Sequence, residues 1–183
     1  MFNNKRYLIK NIFIIGVILL IACIATQKIY TKFTKERNIS EGSNSLEIIY
    51  HQKTGSKVTL TKLTPVTDSV GLSSKEYSLT VKNKLTREVN YNVKLERDLK
   101  EIINDECGEY QIPENIIRVS IKSTNEKDKI YELDQIKNNI LKKDILKPNQ
   151  EKDYIIRLWV EKNTLPAGSN MHYHGNIKVK EVK

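Results

Sequence analysis

Cysteine is nearly absent from this chain, which excludes a fold held together by a framework of disulfide bonds. Only two of the 183 residues are cysteines. Cys23 lies within an apolar run and Cys107 lies in a polar region, so we do not expect them to pair. The domain must therefore be held together by its hydrophobic core, and the chain is long enough to form one.

Motifs of the common catalytic and nucleotide-binding sites are also missing. The sequence contains no Gly-rich phosphate loop, no Gly-x-Ser-x-Gly turn, no His-Glu-x-x-His motif and no zinc-ribbon spacing. Its acidic residues are scattered among lysines, which is typical of a solvated β-surface. We therefore predict that the protein is not an enzyme and uses no cofactor, with a β-sandwich hydrolase as the enzymatic alternative.

The positive charge is concentrated at one end of the chain. The net charge is +9 at pH 7, and residues 1–37 contain seven basic residues and one acidic residue. The other 146 residues contain 24 basic and 21 acidic ones. This composition gives no strong electrostatic reason to expect nucleic-acid binding. Lysines beside an apolar segment favour contact with anionic lipid headgroups or an anionic wall polymer.

An apolar segment near the N-terminus is long enough to cross a lipid bilayer. Residues 7–27 supply 21 positions if Lys10 extends its charged end to the near interface, and about 20 are needed. Tyr7 and Tyr30 then stand at the two edges, where aromatic rings prefer to lie. We predict a cytoplasmic n-region at 1–10 and a transmembrane signal anchor at 7–27.

Two other outcomes for this segment stay open. Leu20-Ile21-Ala22-Cys23 matches a lipoprotein box, in which Cys23 would receive a diacylglycerol and become the new N-terminus. The third outcome is a secreted protein, for which the sequence offers only poor cleavage sites. We place the main domain outside the membrane because a short basic tail before an apolar run resembles an export signal.

The rest of the chain predicts a polar stalk and then a β-domain. Residues 28–45 are basic and polar and indicate a stalk. From residue 46 to 183 the sequence breaks into short segments of alternating polarity, which is the pattern of half-buried strands. We predict an all-β, antiparallel sandwich of about eight strands, near 46–51, 57–63, 75–82, 88–96, 116–122, 129–133, 151–160 and 171–181.

One segment departs from this pattern. In "ELDQIKNNILKKDIL", Leu133, Ile136 and Ile140 follow one another at spacings of three and four residues. That spacing favours a helical turn. We interpret it as a crossover between the two sheets.

Several phrases resemble small surface proteins of low-GC Gram-positive bacteria. They are "LKPNQEKDYIIRLWVEKN", the final strand "GNIKVKEV", and the pair "YSLTVKNKLTREVNYNVKLE". The resemblance covers about residues 72–182. Such proteins have one N-terminal hydrophobic segment followed by an immunoglobulin-like β-sandwich, so the resemblance implies that fold and an envelope location. It carries no catalytic residues, and fold analogy alone does not give a function.

Two places in the predicted domain are candidate sites. In "MHYHG", His172 and His174 project together from one strand and could chelate a metal, but a third ligand is required and His51 is the only other histidine. Trp159 lies in a strand that is apolar on both faces. It is either a contact point for a partner or glycan, or it packs under a loop such as 97–115.

Taken together, the sequence predicts a single-pass membrane protein whose β-sandwich acts by binding or assembly at the cell envelope. The expected partners are the lipid bilayer, through residues 7–27, and an envelope protein or an anionic wall polymer. The alternative is a lipoprotein, lipidated at Cys23, that binds a small ligand or a metal.

Overall fold

The computed structural model describes residues 38–40, 45–61, 64–99, 110–166 and 170–182. Within these residues the fold is all-β, with one four-residue helix and three short 3-10 helices. Five strands come from the first part of the domain: Asn38–Ser40 (β1), Leu46–Tyr50 (β2), Lys57–Leu60 (β3), Glu76–Asn83 (β4) and Val89–Arg97 (β5). Five follow: Ile117–Ser123 (β6), Lys129–Glu132 (β7), Ile140–Leu146 (β8), Glu151–Val160 (β9) and Tyr173–Glu181 (β10).

The strands form two sheets, and every pairing between neighbouring strands is antiparallel. Sheet A has the order β1-β2-β4-β9-β6-β7, and sheet B has the order β3-β10-β5-β8. Buried apolar side chains of both sheets belong to one hydrophobic core. This arrangement is consistent with a β-sandwich, and it confirms the predicted all-β, antiparallel class.

The alternating segments of the sequence are strands with the predicted faces. In β5, Val89, Tyr91, Val93 and Leu95 are buried, whereas Asn90 is exposed. The same period of two sets the inner faces of β4, β6 and β9. Alternation therefore defines which side chains form the core and which lie on the outer face of each sheet.

Two strands were not predicted. Strand β1 falls within the predicted stalk and pairs with β2, with Asn38 opposite Tyr50. Strand β8 falls in the segment for which we expected a helical turn. That segment begins with 3-10 helices at Leu133–Gln135 and Lys137–Asn139, and then continues as β8.

The helical turn ends early because of its asparagines. Asn138 and Asn139 have φ values of 56° and 60°, a left-handed conformation that interrupts a right-handed helix. The apolar spacing of Leu133, Ile136 and Ile140 thus belongs to two short turns followed by a strand.

Tyrosine hydroxyl groups connect the two sheets through the core. Tyr50 of sheet A donates to the Ile177 carbonyl of sheet B at 2.7 Å. Tyr77 of sheet A donates to the Thr59 carbonyl at 2.8 Å and accepts from the Thr59 amide at 3.1 Å. Buried tyrosines are tolerated in a core when the hydroxyl finds such a partner.

A third tyrosine connects the sheets through a carboxylate. Tyr154 of sheet A contacts the Tyr91 hydroxyl of sheet B and donates to Asp144 Oδ2 at 2.8 Å. Lys152 donates to the same oxygen at 2.6 Å. Burial raises the pKa of Tyr154 above its usual value, and the bonds to Tyr91 and Asp144 raise it further, so its hydroxyl stays protonated.

The Tyr77 hydroxyl gives a direct test of these connections. We expect Tyr77→Phe to lower the free energy of unfolding by about 1–2 kcal/mol, because it removes two hydrogen bonds to strand β3. Urea denaturation of the full chain measures the change. Tyr131→Phe is the matched control, because the described structure shows no hydrogen bond from the Tyr131 hydroxyl; a loss as large in the control would contradict the account.

Candidate binding surface on sheet B

The outer face of sheet B carries an excess of lysines. The register of the four strands and the inward positions of their apolar residues place the intervening polar residues on this outer face. Among the described residues, the acidic residues at these outward positions are Glu96 and, just after β5, Asp98, whereas Asp144 of β8 and Glu181 of β10 lie opposite the buried Tyr91, at inward positions. We call the lysine set the basic face: Lys57, Lys94, Lys143, Lys178 and Lys180.

Glu96 lies at the centre of three of these lysines. Its carboxylate is 2.7 Å from Lys178 Nζ, 3.1 Å from Lys180 Nζ and 3.2 Å from Lys94 Nζ. The bond from Lys178 contributes most to lowering the pKa of Glu96 to about 2; partial burial opposes the shift, and the bonds from Lys180 and Lys94 reinforce it. The carboxylate is therefore ionised at every physiological pH.

This carboxylate compensates for a repulsive strand pairing. Lys94 of β5 and Lys178 of β10 are directly opposite each other in the antiparallel register. Like charges in that relation destabilise a sheet. Glu96 lies two residues along from Lys94 and bonds both lysines, so the face keeps its lysines together while still having a positive excess.

The outer face of sheet A is different, because its arginines are already paired. Arg157 bonds Glu76 and lies 3.2 Å from Asp128. Arg118 lies 2.6 Å from Glu132 and 2.7 Å from Glu161. Each guanidinium is thus held by two carboxylates of the same chain, and these clusters carry more negative than positive charge.

The predicted histidine pair lies on the outer face of sheet B. His172 and His174 flank the buried Tyr173, and their ring centroids are 6.2 Å apart with an interplanar angle of 77°. The structure brings the two rings close, as the alternation predicts. Across the described residues, however, no group of three or more His, Cys, Asp or Glu side chains is arranged to hold a metal ion.

The third histidine lies elsewhere, on the outer side of sheet A. His51 Nε2 is 2.7 Å from Thr80 Oγ1, and Thr80 donates to Asp153 Oδ1 at 2.6 Å. The threonine proton is directed at the carboxylate, so the imidazole faces the hydroxyl as a donor. This order does not activate Thr80 as a nucleophile, since a general base would have to accept that proton.

Trp159 faces outward from sheet A, as its place in the alternating pattern of β9 predicts, but its side chain is only 3% exposed. The short helix Asp68–Gly71 (α1) covers the indole, and Trp159 Nε1 donates to Asp68 Oδ1 at 3.2 Å. A methyl group at Gly71 would come within 2.3 Å of the indole Cδ2, so the close approach requires glycine. A partner contact through Trp159 stays a prediction, and it would require α1 to move.

The remaining predicted features lie outside the described residues. These are the n-region 1–10, the apolar segment 7–27 with Cys23, the stalk residues 28–37 and 41–44, and Cys107. Among the described residues, no helix is both long enough and apolar enough to cross a membrane.

Comparison with known proteins leaves the site to be interpreted from its own geometry. No protein-family model matches this chain, and no curated protein matches it. The resemblance to Gram-positive surface proteins therefore stays a prediction from the sequence.

The Glu96 cluster predicts a pH-dependent contribution to stability. The pKa of Glu96 is about 2 in the folded protein and about 4.3 in an unfolded chain. Its stabilisation is thus complete above the unfolded pKa and is lost as the pH falls toward the folded value. We expect Glu96→Gln to cost about 1 kcal/mol at pH 7 and low salt, since surface ion pairs contribute little each.

That cost should fall by about half near pH 3, because the wild-type protein then loses the same contribution. Urea denaturation of both proteins at pH 7 and pH 3 measures it. Glu88→Gln is the control, because Glu88 is exposed and the described structure shows no ion pair for it. A Glu96→Gln cost that is unchanged between the two pH values would rule out this role.

Proposed function

We propose that this chain is a non-enzymatic, membrane-anchored protein whose β-sandwich binds an anionic partner at the cell envelope. In this proposal residues 7–27 hold the chain in the lipid bilayer, and the main domain is extracytoplasmic. The domain has an immunoglobulin-like topology, as its resemblance to Gram-positive surface proteins implies. The partner is an anionic wall polymer or the acidic surface of an envelope protein.

The observation that carries this proposal is the basic face. Lys178 and Lys180 are exposed, with side chains 47% and 55% accessible, and Lys143 is exposed on the neighbouring edge strand. The described arginines of sheet A, in contrast, are held by carboxylates of their own chain. For an approaching anion, the lysines of sheet B are therefore more accessible positive charges than the arginines of sheet A.

The ionised Glu96 supports binding more than it opposes it. It holds Lys94, Lys178 and Lys180 in fixed positions, which lowers the entropy lost when a ligand engages their ammonium groups. A single carboxylate among several lysines leaves a positive surplus. The expected interaction is electrostatic, of moderate affinity and strongly dependent on salt.

Binding of a partner strand at a sheet edge is less well supported for this domain than binding through the outer face of sheet B. Strands β1, β3 and β7, which lie at sheet edges, have three, four and four residues. The fourth edge strand, β8, carries Lys142 and Lys143 and has a register irregularity opposite Val93 and Lys94. Short edges, lysines and bulges are features that oppose the addition of a further strand.

The alternative of a lipoprotein changes the anchor and not the domain. Lipidation at Cys23 would remove the segment before it and attach the same β-domain to the membrane through acyl chains. A metal-binding role is less well supported, because His172 and His174 are not joined by a third ligand among the described residues.

Binding to a simple polyanion tests the proposal. The full chain in nanodiscs of zwitterionic lipid is titrated with polyphosphate at two salt concentrations. We expect Lys178→Gln/Lys180→Gln to weaken binding about fivefold to tenfold and to reduce its salt dependence, because two exposed charges are removed from the contact surface.

The matched control is Lys127→Gln/Lys129→Gln, which removes the same charge at exposed positions before and at the start of strand β7. It should change binding by less than about twofold, since it alters only the long-range field. Neutral dextran should not bind. Equal losses in the two double variants would show that net charge, including that of residues 1–37, is responsible, and the basic face would then have no special role.

A further inference from the structure

A shallow depression of about 530 Å³ lies at one end of the basic face, over strands β5 and β8 and the end of β10. Two short rows of outward side chains cross the sheet here, and all of them except Lys180 line the depression. In the first row, Asn92 of β5 lies between Lys143 of β8 and Lys180 of β10. In the second row, Asn90 pairs with Ile145, and the Val182 amide donates to the Asn90 carbonyl at 2.8 Å.

The second row is apolar and exposed. Ile145 is 53% accessible and Val182 is 45% accessible, and both line the depression. Isolated exposed aliphatic residues need no explanation, but these two flank a concave surface on the same face as the lysines. One side of the depression is therefore apolar, and it would pack more favourably against the C–H groups of a ligand than against water.

The first row is basic. Lys143 and Lys180 lie on opposite sides of Asn92, and both are exposed. The nearby carboxylate of Asp144 does not cancel the charge of Lys143, because it is turned toward Tyr154 at 2.8 Å and Lys152 at 2.6 Å. An anionic group placed over Asn92 would therefore meet the ammonium group of Lys143, which lines the depression, whereas the ammonium group of Lys180 is held by Glu96 at 3.1 Å.

The two asparagines supply the hydrogen-bonding groups between these rows. Asn90 and Asn92 are two residues apart on one strand, so their carboxamides project from the same face about 7 Å apart. Within the described residues, neither carboxamide is bonded to another group of the chain. A carboxamide has both donors and an acceptor, which suits hydroxyl groups that also donate and accept.

We propose that this depression binds one pyranose unit that carries an anionic substituent, a carboxylate or a phosphate. The ring packs its C–H face on Ile145 and Val182, its hydroxyls bond Asn90 and Asn92, and the anionic group bonds Lys143. The proposal rests on the proposed function and makes it more specific, because it makes the partner an acidic glycan of the envelope. Charge alone would use only the lysine row, whereas a sugar ring uses both rows.

The test compares ligands that separate these two contributions. The full chain, labelled with ¹⁵N and held in detergent micelles, is titrated with trigalacturonate, glucose 6-phosphate, neutral maltotriose and polyphosphate. We expect an acidic sugar to shift the side-chain amide signals of Asn90 and Asn92. Maltotriose should bind at least about tenfold more weakly, because it lacks the charge that the lysine row recognises.

A variant of the apolar row distinguishes the sugar from the charge. Ile145→Ser should weaken binding of the acidic sugar about fivefold, because the ring loses apolar contact area, and it should leave polyphosphate binding unchanged. Ile130→Ser is the matched control, since Ile130 is also exposed, at 37%, but lies on sheet A. It should bind the sugar as the wild type does.

The outcomes separate this inference from the broader function. The depression is not a sugar subsite if polyphosphate binds but the acidic sugars bind no better than maltotriose, or if Ile145→Ser has no effect on sugar binding. In either case the proposal that the basic face binds anions still stands. If polyphosphate also fails to bind, both proposals are wrong. Binding of galacturonate but not of the sugar phosphate assigns the anionic group as a carboxylate, and the reverse result assigns a phosphate.

Discussion

The domain depends on tyrosine side chains that cross its core and form hydrogen bonds on the opposite sheet. Tyr50, Tyr77 and Tyr154 all leave sheet A and reach a carbonyl, an amide or a carboxylate of sheet B. Apolar packing alone would hold the sheets together without fixing their relative position, whereas a hydroxyl with a specific partner fixes both distance and register. With only two cysteines in the chain, these bonds take the place that disulfide bonds occupy in small disulfide-rich domains.

The same alternation that directs these tyrosines inward places the charged side chains outward. In β5, each buried residue is followed by an exposed or partly exposed one, so the strand that supplies Tyr91 to the core also supplies Lys94 and Glu96 to the basic face. Strand β10 does likewise with Ile177 and Lys178. The two outer faces differ because the arginines of sheet A are neutralised within the chain, whereas Lys94, Lys178 and Lys180 of sheet B share the carboxylate of Glu96 and keep a positive surplus.

Much of the fold could be predicted from periodicity, and the site could be predicted only in part. Alternation gave eight of the strands and their inner faces, because burial on one side of a sheet imposes a period of two. It missed β1, and it missed β8, where the lysine pair and positive-φ asparagines obscure the pattern. It also did not show that helix α1 covers Trp159. Alternation predicts that Asn90, Asn92, Lys94 and Glu96 face outward, but it did not predict this for Lys143, whose strand β8 was missed. The way these residues come together depends on β5 pairing with β8 and β10, and those pairings join segments distant in sequence.

Lysine labelling of intact cells that carry the protein tests the central claim most directly. A small membrane-impermeant amine reagent is applied to cells and, separately, to the purified full chain, and each lysine is quantified by mass spectrometry. The account predicts that Lys127 and Lys129 react equally in both samples, because the domain is outside the membrane and that edge is free, whereas Lys143, Lys178 and Lys180 are protected in cells. Equal reaction of all five would contradict binding through the basic face, and failure of all five to react in cells would contradict the extracytoplasmic location.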